Sequence, residues 1–165
     1  MPLEPGTRLG PYGRFILLGT YSPATSWDIA RIPVSGGVPP EMLVNSANGE
    51  RDGKLSPDMH CIAYDSTESG RREIWIQPIP PNGSRWQVSN GEGTSARCRG
   101  DGRELFFIAL DGKLTAVPVT PGDAPKFGTP VALFQTQQRE GGERRRSSVH
   151  GGLVGPRPAQ LKGGR

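Results

Sequence analysis

Two cysteines and two histidines come first among the side chains able to do chemistry, since thiolate and imidazole bind zinc and form nucleophile–base pairs. His60 and Cys61 are adjacent, Cys98 is well separated from them, and His150 lies near the C-terminal end. Adjacent residues on a strand point to opposite faces, so His60 and Cys61 do not share one ion. No metal site is expected, and Cys61 and Cys98 read as buried structural thiols. Two cysteines also make no disulfide framework. Asn90-Gly-Glu-Gly-Thr-Ser-Ala96 carries the G-x-G-x-x-A spacing of a dinucleotide loop. That loop works only between a strand and a helix whose N-terminus meets the phosphate. Ala96-Arg-Cys-Arg99 leads instead towards another strand and an Asp-Gly turn, so the segment reads as an inter-strand loop and no cofactor is expected.

Serine chemistry fares no better. No G-x-S-x-G elbow occurs, and the Ser22-Pro23 and Ser56-Pro57 hydroxyls read as turn caps. Asn82-Gly83-Ser84 has the form of a glycosylation sequon but sits in a turn sequence. Arg144-Arg-Arg-Ser-Ser148 has the form of a basophilic phosphorylation site, which an Arg-rich tail produces incidentally. No catalytic, cofactor-binding or metal residue is assigned, and the chain is not expected to be an enzyme. Trp27, Trp75 and Trp86, with Tyr21 and Tyr64, are the best candidates for contact surfaces, most of them expected in packing between structural units.

The elements that carry these residues follow from an internal repeat. Gly13-Arg-Phe-Ile-Leu-Leu with Trp27-Asp-Ile-Ala-Arg-Ile-Pro-Val34 aligns with Ser56-Pro-Asp-Met-His-Cys-Ile-Ala-Tyr with Arg72-Glu-Ile-Trp-Ile-Gln-Pro-Ile79. Both align with Arg99-Gly-Asp-Gly-Arg-Glu-Leu-Phe-Phe with Gly112-Lys-Leu-Thr-Ala-Val-Pro-Val119. Gly13, Met59 and Gly102 share one slot, at spacings of 46 and 43 residues. Asp101-Gly102 and Asp111-Gly112 are hairpin turns in which glycine takes the positive φ. Leu105–Leu110 reads as a strand covered on both faces and Glu73–Ile79 as a half-exposed one. Pro33, Pro78 and Pro118 mark equivalent strand ends, where a missing N–H is tolerated. Further strands are read at Met42–Asn45, Arg85–Ser89 and Val131–Gln135, each opening or closing a unit. No window of 11 residues keeps a helical apolar rhythm, so the fold class is all-β. A sandwich also needs several short strands. The fixed period and the recurrent aspartate turn favour four-stranded antiparallel blades of an incomplete β-propeller, about three in number.

Ser56-Pro57-Asp58 followed by Ile62-Ala63-Tyr64 resembles the repeat signature of TolB-type and WD-like propellers. Gly100-Asp-Gly-Arg-Glu-Leu-Phe-Phe107 with Asp111-Gly-Lys-Leu114 is similar to the last full repeat of propellers attached to bacterial serine/threonine protein kinases. The resemblance covers residues 13–136. It departs from the pattern at Met59-His60, where Gly and a basic residue are usual, at Cys98, where Trp is common, and at Ala30, where an aromatic is frequent. Met1–Tyr12 resembles the opening of the same kinases, but no glycine-rich loop, strand lysine, H-R-D or D-F-G segment follows. The resemblance implies a kinase-like leader at 1–12, a partial TolB-like propeller at 13–136 and a truncated sensor region without catalysis. The rival expectation is a fragment of a kinase whose catalytic half is absent from this chain.

The net charge of +4 resolves into two parts. Residues 137–165 hold seven Lys/Arg against Glu140 and Glu143, whereas the first 136 residues hold 13 basic and 14 acidic side chains. The body therefore has no electrostatic call for nucleic acid, and 137–165 is expected to be a disordered basic tail. Phe15-Ile-Leu-Leu18 falls far short of the about 20 apolar residues a membrane span needs, and no signal peptide precedes it. A cytoplasmic location is expected. Protein or small-ligand contact is expected on loops Ser22–Ser26, Thr67–Arg71 and Asn90–Ser95. Self-association is expected through the open faces of the first and last blades.

Overall fold

The computed structural model describes residues 15–122 and 124–137, all of them in strands, turns and connections. The strands are β1 (Phe15–Ser22), β2 (Ser26–Pro33), β3 (Glu41–Val44), β4 (Arg51–Leu55), β5 (Cys61–Ser66), β6 (Glu73–Pro78), β7 (Trp86–Gln87), β8 (Gly93–Cys98), β9 (Glu104–Ala109), β10 (Lys113–Thr120), β11 (Lys126–Phe127) and β12 (Val131–Gln135). They make three antiparallel sheets in strict chain order: β1-β2-β3, β4-β5-β6-β7, and β8-β9-β10 with β11 and β12 sharing the far edge of β10. Neighbours in sequence are neighbours in space, so tight turns suffice as connections. The expected leader at 1–12 lies outside the described residues, as does the expected tail apart from Gln137.

The aspartate turns close the hairpins as the repeat predicts. Asp58, Asp101 and Asp111 each accept the N–H of the residue two further on, at 3.0, 3.0 and 3.1 Å. Gly102 takes φ 71° and Met59, in the same slot, takes φ 64°. A left-handed conformation costs an L-residue about 1–2 kcal/mol. The departure at Met59 therefore carries a backbone cost that glycine avoids.

Three expectations need correction. Pro33 and Pro78 do end β2 and β6, but Pro118 lies inside β10. Val119 donates its N–H to Arg103 O on the β9 side, so the Pro118 nitrogen faces the outer edge. Pairing is broken there, and the edge strand splits into β11, opposite Val119 and Thr120, and β12, opposite Lys113–Ala116. The second correction concerns Asn90–Ala96, read as a loop: from Gly93 onward it is strand β8. Likewise β4 and β11 fall where no strand is read from the sequence. Strands β4 and β8 lack apolar alternation and both carry a bulge, between Arg51/Lys54 and Thr94/Arg97. Asp52 and Ser95 hold the same place in the two bulges, at φ 51° and 60°. A bulge breaks the two-residue period by which strands are recognised.

The third correction is to the strand covered on both faces. Leu105 and Phe107 of β9 are buried, but their neighbours Phe106 and Ile108 are only half-buried. The doubly covered strand is β5, buried from Ile62 to Ser66 without interruption, and its neighbour β6, expected to be half-exposed, buries the polar Glu73 and Gln77 as well as Ile74 and Ile76. Ile62 and Tyr64 pack into a core with Ile29, Leu43, Val44, Leu55 and Ile79, between the first two sheets. Ala63 packs into the other core with Ile74, Ile76, Val88, Ala96, Leu105, Phe107 and Val117, between the second and third. Among the described residues the second sheet has a neighbour on each side and the third has one, so apolar sequence in β9 exceeds what is buried there.

Candidate functional site

The first strand of each sheet packs on the sheet before it: β4 against β1 and β2, and β8 against β4, β5 and β6. Two different edges of the sheets result. Turns β1–β2 and β5–β6 and connections β3–β4 and β7–β8 gather at one edge, where Gly49 N–H donates to Thr67 Oγ1 at 3.2 Å and Gly93 N–H to Arg72 O at 2.8 Å. The expected contact loops Ser22–Ser26, Thr67–Arg71 and Asn90–Glu92 all lie on this edge, with Gly93–Ser95 passing into β8.

Buried carboxylates fasten this edge, and sequence reasoning missed them. Glu73 accepts the Ser89 hydroxyl and the N–H groups of Gly91 and Glu92, both at 3.0 Å. Burial works against its ionisation, but these donors outweigh burial and hold its carboxyl below the usual range. Asp28 occupies the same slot, five positions before its strand proline, and is one methylene shorter. It accepts Thr25 Oγ1–H at 2.6 Å, while its Oδ1 is buried without a partner among the described residues. Glu50, from the connection itself, takes over by accepting the Ser46 N–H at 3.3 Å, the Ser46 hydroxyl and the Ser66 hydroxyl at 3.4 Å. Burial pushes the Glu50 carboxyl up despite those bonds, and the Asp28 charge adds to the rise. An acidic residue five places before Pro33 and again before Pro78 was the available signal, although Lys113 holds that place before Pro118.

Asp65 is the most perturbed of these groups. Burial raises its pKa to about 6, against the pull of Arg72, whose Nε lies 3.2 Å from Oδ2. The folded chain thus takes up this proton near pH 6 and the unfolded chain only near the ordinary 3.8, so stability rises as pH falls between the two. The gain amounts to as much as about 3 kcal/mol at 1.4 kcal/mol per unit. The melting temperature should climb from pH 8 to pH 5, then fall as Glu73 and the turn aspartates, whose pKa values are lowered, become protonated. Asp65→Asn should be more stable than the parent at pH 8 and lose most of that climb. A parent melting temperature that drops from pH 8 to pH 5 would contradict this assignment.

The opposite edge carries a cavity of about 760 Å³ between the second and third sheets. Turn β4–β5, the Pro78–Pro80 segment, turn β8–β9 and the β10–β11 connection surround it. Its inner wall is apolar, with Ala63, Ile76, Leu105, Val119 and Phe127. Cys61 and Cys98, expected to be buried, are only half-buried and meet this cavity from adjacent sheets, so the structure brings together two thiols that are far apart in sequence. Burial raises both, Cys98 to about 11, with Cys61 and Asp58 nearby adding to that rise. Such thiols are neutral at pH 7 and poor nucleophiles or ligands. Among the described residues no three His, Cys, Asp or Glu side chains are placed to hold a metal ion.

The aromatic candidates divide cleanly. Tyr64 is buried and donates its hydroxyl to Gln77 Oε1 at 3.2 Å; Trp75 and Trp86 pack against the cores. Tyr21 and Trp27 are exposed and meet edge to face at a centroid distance of 5.6 Å. Asn82 makes a turn, its Oδ1 accepting the Ser84 N–H at 3.0 Å. Arg144–Ser148 and His150 lie outside the described residues.

No family model and no curated protein matches the sequence. Solved structures do resemble it. A protein of Agrobacterium tumefaciens named as a TolB aligns with a TM-score of 0.56 and 15% identity, over 74% of this chain and 47% of its own. TolB of Acinetobacter baumannii aligns with a TM-score of 0.54 and 21% identity, over 73% of this chain and 31% of its own. The fold is a β-propeller. A protein of Bacteroides uniformis named as a 6-phosphogluconolactonase aligns at 0.50 with 18% identity, over 74% of this chain and 38% of its own. The chain thus spans less than half the length of these propellers, and its three sheets are three blades of an open arc. The cavity lies between blades two and three. Among the described residues no helix is long and apolar enough to cross a membrane.

Proposed function

We propose that this chain is a non-catalytic binding module, derived from the sensor propeller of a bacterial serine/threonine kinase and working in the cytoplasm. The observation that carries the binding reading is the interblade cavity, whose about 760 Å³ and apolar inner wall suit a small ligand. Residues 13–136 form the module in this reading, and residues 1–12 are a remnant of the kinase start. The kinase origin rests on the sequence resemblance at Met1–Tyr12 and Gly100–Leu114, since likeness to TolB extends to fold alone.

The thiols on the cavity wall are held neutral, and the buried carboxylates of the other edge are engaged in fastening loops. Both arrangements favour binding over turnover. Incubation of the purified chain with labelled ATP, magnesium and a protein acceptor should leave both proteins unlabelled. Incorporated phosphate would overturn the non-catalytic reading. Cys98→Trp, which restores the residue common at this place in the resembling repeats, should fill the cavity and suppress small-molecule binding detected by amide chemical shifts.

A further inference from the structure

The repeat permits a comparison of the two turns at the cavity mouth. In the third blade, the turn aspartate Asp101 is paired with Arg99, which also holds Glu104 at 2.7 Å. The slot of Arg99 is occupied in the second blade by Ser56. Ser56 donates its hydroxyl to Asp58 Oδ1, and His60 N–H donates to the same oxygen at 3.0 Å. Asp58 thus has its cap but no lysine or arginine: among the described residues it makes no salt bridge, and the basic side chain beside it is His60, two residues on in the same turn. No Lys or Arg lines the cavity. Its mouth carries Asp58, Asp101 and Glu104 with His60 as the one basic side chain among the lining residues, and its depth is lined by apolar groups and neutral thiols.

A ligand for such a site needs an apolar body for the depth and a positive charge for the mouth. An anion would find no lysine or arginine there, and a neutral ligand would leave the Asp58 charge unused. From this asymmetry between equivalent turns, we propose that the cavity binds a small amphipathic organic cation, an ammonium group on an apolar body, with Asp58 as its counter-charge. The proposal rests on the binding reading above and names the ligand class for the same site. Asp58 is at the surface, so the charge adds selectivity rather than most of the affinity.

Dansylcadaverine, which carries a primary ammonium, and N-pentyl dansylamide, its neutral counterpart, separate the two contributions. In fluorescence titrations of the full chain the cationic probe should bind about three- to tenfold more tightly. That advantage should shrink in about 0.5 M salt. Asp58→Asn, which can still accept the turn hydrogen bonds, should abolish the advantage while leaving the affinity for the neutral probe unchanged. Asn82→Lys, at an exposed position on the cavity rim, should reduce the advantage without touching the aspartate turn. Equal affinities for the two probes, or an unchanged ratio in both variants, would overturn the cation assignment while leaving the cavity as a binding site. Failure of both probes to bind at about 1 mM would overturn the proposal together with the binding reading itself.

Discussion

Gly53→Val should destabilise the chain by about 3 kcal/mol, the upper part of the range for overpacking a close-packed core. A Cβ at Gly53 would lie 2.9 Å from Ile29 Cγ2 and 3.0 Å from Ile29 Cδ1 and Ile62 Cδ1. Both isoleucines are fully buried, one in each of the first two blades, so neither can withdraw without opening the core. The effect comes from closeness of approach, since the same slot in the next blade holds Ala96 beside different neighbours. Domains of this size keep only about 5–15 kcal/mol of net stability, so a loss of this size is a large share of the total. Urea unfolding of the parent, Gly53→Ala and Gly53→Val should give a graded series, with alanine about 1 kcal/mol below the parent. A valine variant as stable as the parent would mean that blades one and two are not packed as described.

At tens of micromolar the purified chain should self-associate rather than remain a monomer. The edge strand β12 is exposed along its whole length, with Val131, Leu133 and Phe134 at 55, 48 and 60%, and Leu110 nearby at 71%. At the other end of the arc, Ile16 and Tyr21 of β1 are exposed. Unpaired strand edges and contiguous exposed apolar groups both promote association. A second copy is the natural occupant, because its blades carry the same repeat that already packs blade on blade twice within the chain. Leu133→Lys combined with Phe134→Glu should shift sedimentation towards the monomer and leave the melting temperature close to that of the parent. A parent protein that sediments as a single monomeric species throughout would rule this out.

The repeat, the hairpins and the aspartate turns were legible because they depend on residues close together in the chain. Asp101-Gly102 and Asp111-Gly112 name their own backbone conformations, and strands β1, β2, β5, β6, β9 and β10 show clear apolar runs. The cavity was not legible. Its walls come from turns of two blades about forty residues apart, and nothing local to Cys61 or Cys98 indicates that they share one cavity. The loops singled out from the sequence gather at one edge, while the cavity opens at the other. Loop composition predicts exposure; enclosure depends on how adjacent blades are set against each other.

The sequence by itself determined an all-β chain of repeated antiparallel units, since period, turn chemistry and strand pattern are local properties of the polypeptide. Only the tertiary structure decided which strands are inner ones, which faces are covered and which charges lack a partner. Strands β4 and β8 owe their existence to the blade each packs upon, and β5 rather than β9 is doubly buried because it alone of the two has a blade on each side. Burial and pairing are relations between distant segments, and no short stretch of sequence contains them.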